Sequence, residues 1–545
     1  MTKRYDELDE TFRRVARGEL TPDTVKPIVA RYGIYQQRDG AFMARVRVCG
    51  GEVPCARLRA LADLLEAVGG RAHLTTRQDL QIHDLPAARV AQVVTDCDAL
   101  GYPFRGGGGN TFRNLVADPE SGLARDSAFD VYPYARAVHD AIMACDDAFD
   151  LPRKFKVGFF SGPGGTLSAA AQDVGFVARM RGNERGFTVF AGGGMGRVSL
   201  AGLCLADFLP AGQAVDMALR AVAVFHAHGD RQNRNQARLR FVRQRVGDAA
   251  FAELFRQTPA ASVRGGVPAV AEADTCLPPG FAAVAEGFDA CGAVRGKPPG
   301  QEEGGGRNAP LPEGGDAEGQ AFGVWRSLAV TPTRFGDTVR MVRLFVPYGN
   351  LTAAQLRYVA DLAEGAGSPF VRIMPSQDIL LPFVSERAIP CLYGRLSQAR
   401  NGIDLTCGSL RGHVVTCVGA SLCRIGMADA PRIGDRIAAA LDAALLPADT
   451  PEKRAMLRLA LGGIRISGCF NACAGHPAAA IGIGCLLRKI DGEVRAFGRI
   501  LTGARTADGR VFLSEPVTEE MPEEQLPEAV LERLRRFAAD SRNMV

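Results

Sequence analysis

No run of about 18 uninterrupted apolar residues occurs in the chain, so nothing in it is long enough to cross a bilayer as a helix. The opening residues, MTKRYDELDETFRRVARG, are charged and amphipathic and lack the apolar stretch of a secretion signal. A dominant sign of charge is missing too. Sixty-five Lys and Arg against 60 Asp and Glu leave +5 over 545 residues with no polybasic tail, which removes compositional support for binding nucleic acid or membrane surfaces. These absences predict a soluble, cytoplasmic protein. In that setting 14 cysteines point to reduced thiols, some free to bind metal or a cluster, and away from a disulfide framework. No Gly-Lys-Ser/Thr follows the turn GGGMG at 192–196, so it is not a phosphate loop. No segment reads as flavodoxin-like or nicotinamide-binding, so electrons for any redox reaction have to come from another protein.

What is present is a duplicated chain. FMARVRVCGGEVPCARLRALADLL (42–65) and RMVRLFVPYGNLTAAQLRYVADLA (340–363) match at a constant offset of 298, pairing Met43, Arg45, Val48, Gly51, Leu58, Arg59 and Asp63 with Met341, Arg343, Val346, Gly349, Leu356, Arg357 and Asp361. After a one-residue insertion, RQDLQIHDL meets SQDILLPFV. The period is far too long for a solenoid. Each copy reads as an alternating strand, a turn at glycine, a helix with Leu58, Leu61, Ala62 and Leu65 or their counterparts at helical spacing, and a second alternating strand. Residues 296–320, rich in Gly, Pro and Glu, carry almost no large apolar side chain and read as a flexible linker between the halves. The C-terminal segment reads as an amphipathic helix with Leu526, Val530, Leu531, Leu534 and Phe537 on one face.

Two groups of residues carry chemistry. Cys417 and Cys423 form a C-x5-C pair, followed after 45 residues by the C-x3-C pair Cys469 and Cys473. Two short loops giving two thiolates each suit a cubane [4Fe-4S] cluster, whereas structural zinc prefers closer pairs; unligated buried thiols are the remaining reading. Cys407 and Cys485 are near enough to be mistaken for ligands. The second group is basic. Strand alternation sets Arg45 and Arg47 opposite Phe42, Ala44, Val46 and Val48. In LTTRQDLQIHD, read as one strand, it sets Thr75, Arg77, Asp79, Gln81 and His83 opposite Leu74, Leu80 and Ile82. Lys154 and Lys156 share a face of LPRKFKVGFF, and Arg113 lies in GNTFRN. Solvated strand faces would explain any one of these segments. Their concentration in one half, where the other copy has Ser376 in place of Arg77, marks an anion-binding surface.

With the duplicated module, TTRQDLQIH, LPRKFK, GGGMG, DRQNRNQARLRF and both cysteine pairs in order, the chain resembles the sirohaem-containing sulfite and nitrite reductases, specifically their haemoprotein component. The resemblance implies an α+β (mixed α/β) fold with pseudo-two-fold duplication: two ferredoxin-like modules and two larger lobes. The implied boundaries are an N-terminal helical segment (1–30), a first ferredoxin-like half-domain (31–95), a first sirohaem and substrate lobe (96–295), the linker (296–320), a second half-domain (321–390) and a cluster lobe with the C-terminal helix (391–545). It further implies that Cys417, Cys423, Cys469 and Cys473 hold a [4Fe-4S] cluster, and that Cys473 also bridges to the sirohaem iron. Arg45, Arg113, Lys154 and Lys156 would surround the substrate anion. Arg77 and Gln81, together with Arg231, Asn233 and Arg234, would meet sirohaem carboxylates. Lys156 stands where nitrite reductases of the family carry asparagine, which favours sulfite over nitrite. Ferredoxin or a flavoprotein would supply electrons to a monomer or weak oligomer. Alternatives of another class are a non-catalytic cluster- or zinc-binding protein and an anion-binding protein that kept the fold without haem; neither requires both constellations together. Two departures stand out: Phe470 and Ala472 replace a common proline and glycine, and Gly109 replaces a polar side chain whose contact Asn110 could take over.

Overall fold

The computed structural model describes residues 5–271, 274–279, 281, 317–397, 405–406, 409–446, 448, 450–507 and 509–542. Residues 296–316 of the expected linker, and Cys407, lie outside the described residues. Its last four residues, 317–320, already belong to a helix, Ala317–Ala329.

The two copies fold as two antiparallel sheets. The first contains β1 (Ile34–Gln36), β2 (Phe42–Val46), β4 (Arg71–Leu74) and β5 (Leu80–Leu85), with β3 (Glu52–Pro54) leaving for the other sheet. The first lobe then supplies β6 (Val116–Ala117), β7 (Val157–Phe160), β8 (Val174–Arg181), β9 (Glu184–Ala191) and β10 (Leu203–Pro210). The second copy gives β11 (Val330–Thr333), β12 (Gly336–Leu344), β13 (Asn350–Leu351), β14 (Phe370–Ile373) and β15 (Ile379–Ser385). The strand orders are β1-β2-β5-β4-β13 and β11-β12-β15-β14-β3. Each copy thus lends one short strand to the edge of the other's sheet, through Val53 opposite Val371 and Leu351 opposite Ala72.

The exchange turns on glycine. At Gly51 (φ 78°) an added Cβ would lie 2.6 Å from the carbonyl of Ile373, and at Gly349 (φ 71°) 2.5 Å from that of Leu74. Neither the left-handed backbone nor the space tolerates a side chain. Beside them Gln78 and Gln377, also left-handed, bond across the copies: Gln78 Nε2 donates to Ala117 and Ile373, and Gln377 Nε2 to Leu74. The helices Cys55–Val68 and Ala353–Gly365 pack on each other, the second opened by a Thr352/Gln355 capping box. Their buried leucines and valines join both sheets in one continuous core.

The lobes repeat one another as well. β6-β7-β8 is parallel with β9 antiparallel. The same holds for β16 (Val415–Thr416), β17 (Ile464–Ser467), β18 (Ile481–Ile490) and β19 (Glu493–Thr502). The C-terminal helix Leu526–Arg542 covers the second lobe's core, burying Leu526, Val530, Leu531 and Leu534 as its pattern predicts.

The strand reading of the first module needs a correction. TTRQDLQIH is not a single strand: β4 ends at Leu74 and β5 begins at Leu80, paired with it, and residues 75–79 form the turn between them. The positive φ of Gln78 breaks the alternation, so Arg77 and Asp79 lie on the turn at the sheet's end while Gln81 and His83 lie on β5.

Candidate active site

Arg45 on β2 lies in register with Gln81 on β5. Its Nη1 donates to Asp79 Oδ2 at 3.0 Å, and Asp79 is buried. With its carboxamide turned to satisfy both neighbours, Gln81 accepts from Arg45 Nη2 at 2.7 Å and donates to His83 Nε2 at 2.9 Å. The guanidinium is thereby aimed, with 19% of the side chain exposed. Arg47, expected on the same face, is buried instead. It donates to the carbonyls of Arg105 and Phe112 and lies 5.0 Å from the Phe112 ring centre, so it is a structural residue.

Arg113 precedes β6 and is clasped by carbonyls, Nη1 donating to Gly108 and Thr111 and Nη2 to Gly109 at 2.8–2.9 Å. The glycine loop owes its composition to this packing: a Cβ at Gly108 would come within 2.2 Å of the Ala30 carbonyl. Asn110 is exposed, and its Oδ1 faces Arg153 Nη1 at 3.5 Å. Arg77 reaches from the 75–79 turn into the first lobe, donating to Gln172 Oε1 at 2.9 Å and to the Asn114 carbonyl.

Phe155 and Val157 anchor the LPRKFK segment in the core, which leaves Lys154 and Lys156 half-buried between them on the open side. Burial, then Arg238, push the Lys154 ammonium down to about 8, while the Cys473 sulfur opposes the shift. Burial, Arg77, Lys154 and Arg238 hold Lys156 well below the usual lysine range. Burial, with Arg45 and Arg153 adding, brings Arg113 down to about 9. So many cations sharing one basin repel each other, and an anion placed there would relieve the repulsion.

The cysteines approach this basin from the second lobe. Cys417 follows β16 and its Sγ accepts the Gly468 N–H at 3.3 Å; Cys423 ends the short helix Gly419–Leu422. The two loops are laced together by the Met427 and Ala428 N–H groups on the Gly468 carbonyl. Cys469 Sγ accepts from Asn471 Nδ2 at 3.6 Å, and Cys473 is exposed. Burial, reinforced by Cys473 and Cys469, raises both Cys417, to about 12, and Cys423, so the sulfurs of the second pair lie within electrostatic reach of each sulfur of the first. Cys485 is buried on β18, outside both loops in sequence, and the Cys417 and Cys469 sulfurs reinforce the burial that raises its thiol. Among the described residues, no three His, Cys, Asp or Glu side chains gather around a single metal-ion position. The Cys473 carbonyl accepts the Thr76 hydroxyl at 2.7 Å, which joins the cluster loop to the turn carrying Arg77.

Arg231, Asn233 and Arg234 are exposed. Arg231 Nη2 donates to the Asp150 carbonyl, and the Asn233 N–H caps Asp230. The buried arginines of that segment are Arg238 and Arg240, which the sequence reading passed over. Arg238 pairs with Asp173 at 2.8 Å, while Arg240 has Nε and Nη1 without hydrogen-bond partners. GGGMG turns against both, since a Cβ at Gly194 would meet Arg238 at 2.9 Å and Arg240 at 3.0 Å. Arg240 lines a cleft of about 620 Å³ with Arg197, Asn235, Gln236, Cys469 and Asn471. A neighbouring thiolate set, an open cleft and buried guanidinium atoms awaiting acceptors fit a polycarboxylate macrocycle beside an iron–sulfur cluster.

Residues 108–261 match the nitrite and sulphite reductase 4Fe-4S domain, and residues 35–100 and 332–399 match the nitrite/sulfite reductase ferredoxin-like half domain. The chain belongs to the nitrite and sulfite reductase family. This reductase is 27% identical to the ferredoxin–nitrite reductase of Synechococcus elongatus, over 92% of this chain and 88% of that protein. It is 26% identical to the NADPH sulfite reductase hemoprotein beta-component of Acidithiobacillus ferrooxidans, over 97% of this chain and 90% of that one. The Mycobacterium tuberculosis NirA protein shares its fold with a TM-score of 0.74 at 19% identity, covering 98% of this chain and 91% of the other. The reductase is an α+β oxidoreductase with duplicated ferredoxin-like halves, and its cofactors are sirohaem and a [4Fe-4S] cluster. None of its described helices is long and apolar enough to cross a membrane.

Proposed function

We propose that this reductase converts sulfite to sulfide with six electrons. The observation that carries the reading is the pair Lys154 and Lys156 set beside Arg113 in a basin shared with Arg45 and Arg77. Two ammonium groups held half-buried suit a dianion better than a monoanion, and both can release protons. Sirohaem and the cluster, when bound, would relay the electrons and supply the redox chemistry. In this reading Arg45, fixed by Asp79 and Gln81, and Arg113, fixed by three carbonyls, hold substrate oxygens and stabilise them as they leave. Lys154 and Lys156 donate the protons that turn those oxygens into water. Cys417, Cys423, Cys469 and Cys473 would hold the cluster, and Cys473, the cysteine whose sulfur Lys154 senses, would also serve the sirohaem iron. Arg77, Gln81 and Arg240 would face the macrocycle's carboxylates, while Arg238 is held by Asp173. A ferredoxin or flavoprotein delivers the electrons.

Nitrite reduction to ammonia is the second reading, favoured by similarity to the Synechococcus protein as much as the first is by the Acidithiobacillus one. Steady-state kcat/KM for sulfite and nitrite, with one artificial reductant, decides between them. Lys156→Asn should move the sulfite-to-nitrite ratio toward nitrite by about tenfold or more, the worth of roughly 1.4 kcal/mol; an unchanged ratio removes the reason for choosing sulfite.

A further inference from the structure

Asp173 stands at the entrance to β8 and is fully buried. Its Oδ2 accepts the backbone N–H of Lys156 at 3.0 Å and Arg238 Nη2 at 2.8 Å, and its Oδ1 accepts Arg238 Nε at 3.3 Å. Its own carbonyl accepts the N–H of Gly192, the first glycine of GGGMG. One carboxylate therefore joins the LPRKFK segment to the buried arginine ahead of the helix Leu239–Val246, and the backbone of the same residue holds the glycine turn. An ion pair built only for stability would account for Arg238. It would not require the same oxygen to hold the backbone of a lysine facing the basin.

The charges around Lys156 sharpen the point. Arg77 faces it from the 75–79 turn, Lys154 from its own segment, Arg238 from the segment before the helix and Asp173 from the β8 entrance; among these, Asp173 alone favours the ammonium form. We infer that Asp173 is a positioning residue for the reaction: it fixes Lys156 at the substrate face and supplies the one counter-charge that favours its ammonium form, while Arg238 limits how much of that charge reaches the lysine. This rests on the reading of Lys156 as a donor to the substrate oxyanion.

Two substitutions act in opposite directions. Asp173→Asn keeps an acceptor for the Lys156 N–H but removes the negative charge, so the lysine surrenders its proton at lower pH. Arg238→Gln removes a competing cation and frees the carboxylate, so the lysine holds its proton to higher pH. The test is the pH dependence of sulfite binding to the oxidised holoenzyme, read from the absorption spectrum, alongside kcat/KM. The alkaline limb should move down by roughly half a unit to one unit in D173N and up by a similar amount in R238Q. Neither shift should survive in a K156N background. Shifts in the same direction, no shifts, or shifts that persist without Lys156 overturn the inference and leave Asp173 a structural ion pair. If D173N does not accumulate as loaded protein, R238Q with and without K156N decides it by the same criterion. Failure of the sulfite reading looks different, because the wild-type enzyme itself would then prefer nitrite; the limbs are in that case compared with nitrite as the ligand.

Discussion

The hydroxyl of Thr76 donates to the backbone carbonyl of Cys473 at 2.7 Å, across 397 residues of chain. It is a direct tie between the cationic turn of the first half and the loop bearing the last cysteine. Thr76→Val keeps the shape and removes the bond. It should cost about 1 kcal/mol of stability, and it should speed loss of acid-labile sulfide in air, because the Cys473 loop is freer to open. Equal sulfide loss in mutant and wild type would mean that the loop is held by its other contacts.

Cys473→Ser separates the two roles assigned to that residue. The protein should retain its fold, since Cys473 is exposed and contributes nothing to the core. Magnetic coupling between cluster and haem should disappear from the EPR or Mössbauer spectrum, and six-electron turnover should fall by at least about 100-fold, the upper end of what losing a mere supporting partner of a metal ligand costs. Full sulfite reduction with intact coupling would remove the bridging assignment.

Arg59 reaches Asp361 and Glu364 on the partner helix, and Arg357 returns the gesture to Asp63 and Glu66. These pairs are largely exposed, so Arg59→Ala and Arg357→Ala should each cost about 0–1 kcal/mol, less in high salt. Gly349→Ala should cost at least about 2 kcal/mol more than either, combining a left-handed backbone with a Cβ overlapping the Leu74 carbonyl. Thermal denaturation of the three variants in low and high salt checks the order.

Glu120 gives a pH dependence of stability. Burial, with Asp118 and Asp126 beside it, pushes its carboxyl up to about 7. A carboxyl raised on folding contributes stability at pH values below its unfolded value, and that contribution is lost as pH rises through about 7. Glu120→Gln should therefore be neutral near about pH 5 and stabilising above about pH 8, by up to on the order of 2–3 kcal/mol. Melting curves at both pH values test it; equal melting points at alkaline pH would mean that Glu120 is well solvated.

Much of this architecture is legible before folding. The 298-residue offset already pairs Gly51 with Gly349 and Arg59 with Arg357, because repeated residues meet repeated constraints. Both cysteine pairs are visible from spacing alone. The exchanged strands are not: Glu52–Pro54 and Asn350–Leu351 are too short to show a period. Nor does alternation reveal a turn made by a left-handed Gln78, so two strands read as one. Polar residues buried by pairing are the hardest to find. Asp173, Arg238 and Arg240 look like surface residues until packing brings them together, and the exposed Arg231, Asn233 and Arg234 draw the eye first.

The reciprocal loan of β3 and β13 has a consequence beyond the edges they cover. Neither copy of the module completes its own sheet, so each is a half whose missing part is held by the other. Physically, that is the arrangement of two identical chains clasped about an axis, now written into one polypeptide. With the clasp in place, the lobe after the first copy carries Arg113, Lys154 and Lys156, and the lobe after the second carries both cysteine pairs. A single self-sufficient module would have had to carry both, whereas this enzyme divides the labour between siblings that cannot leave home.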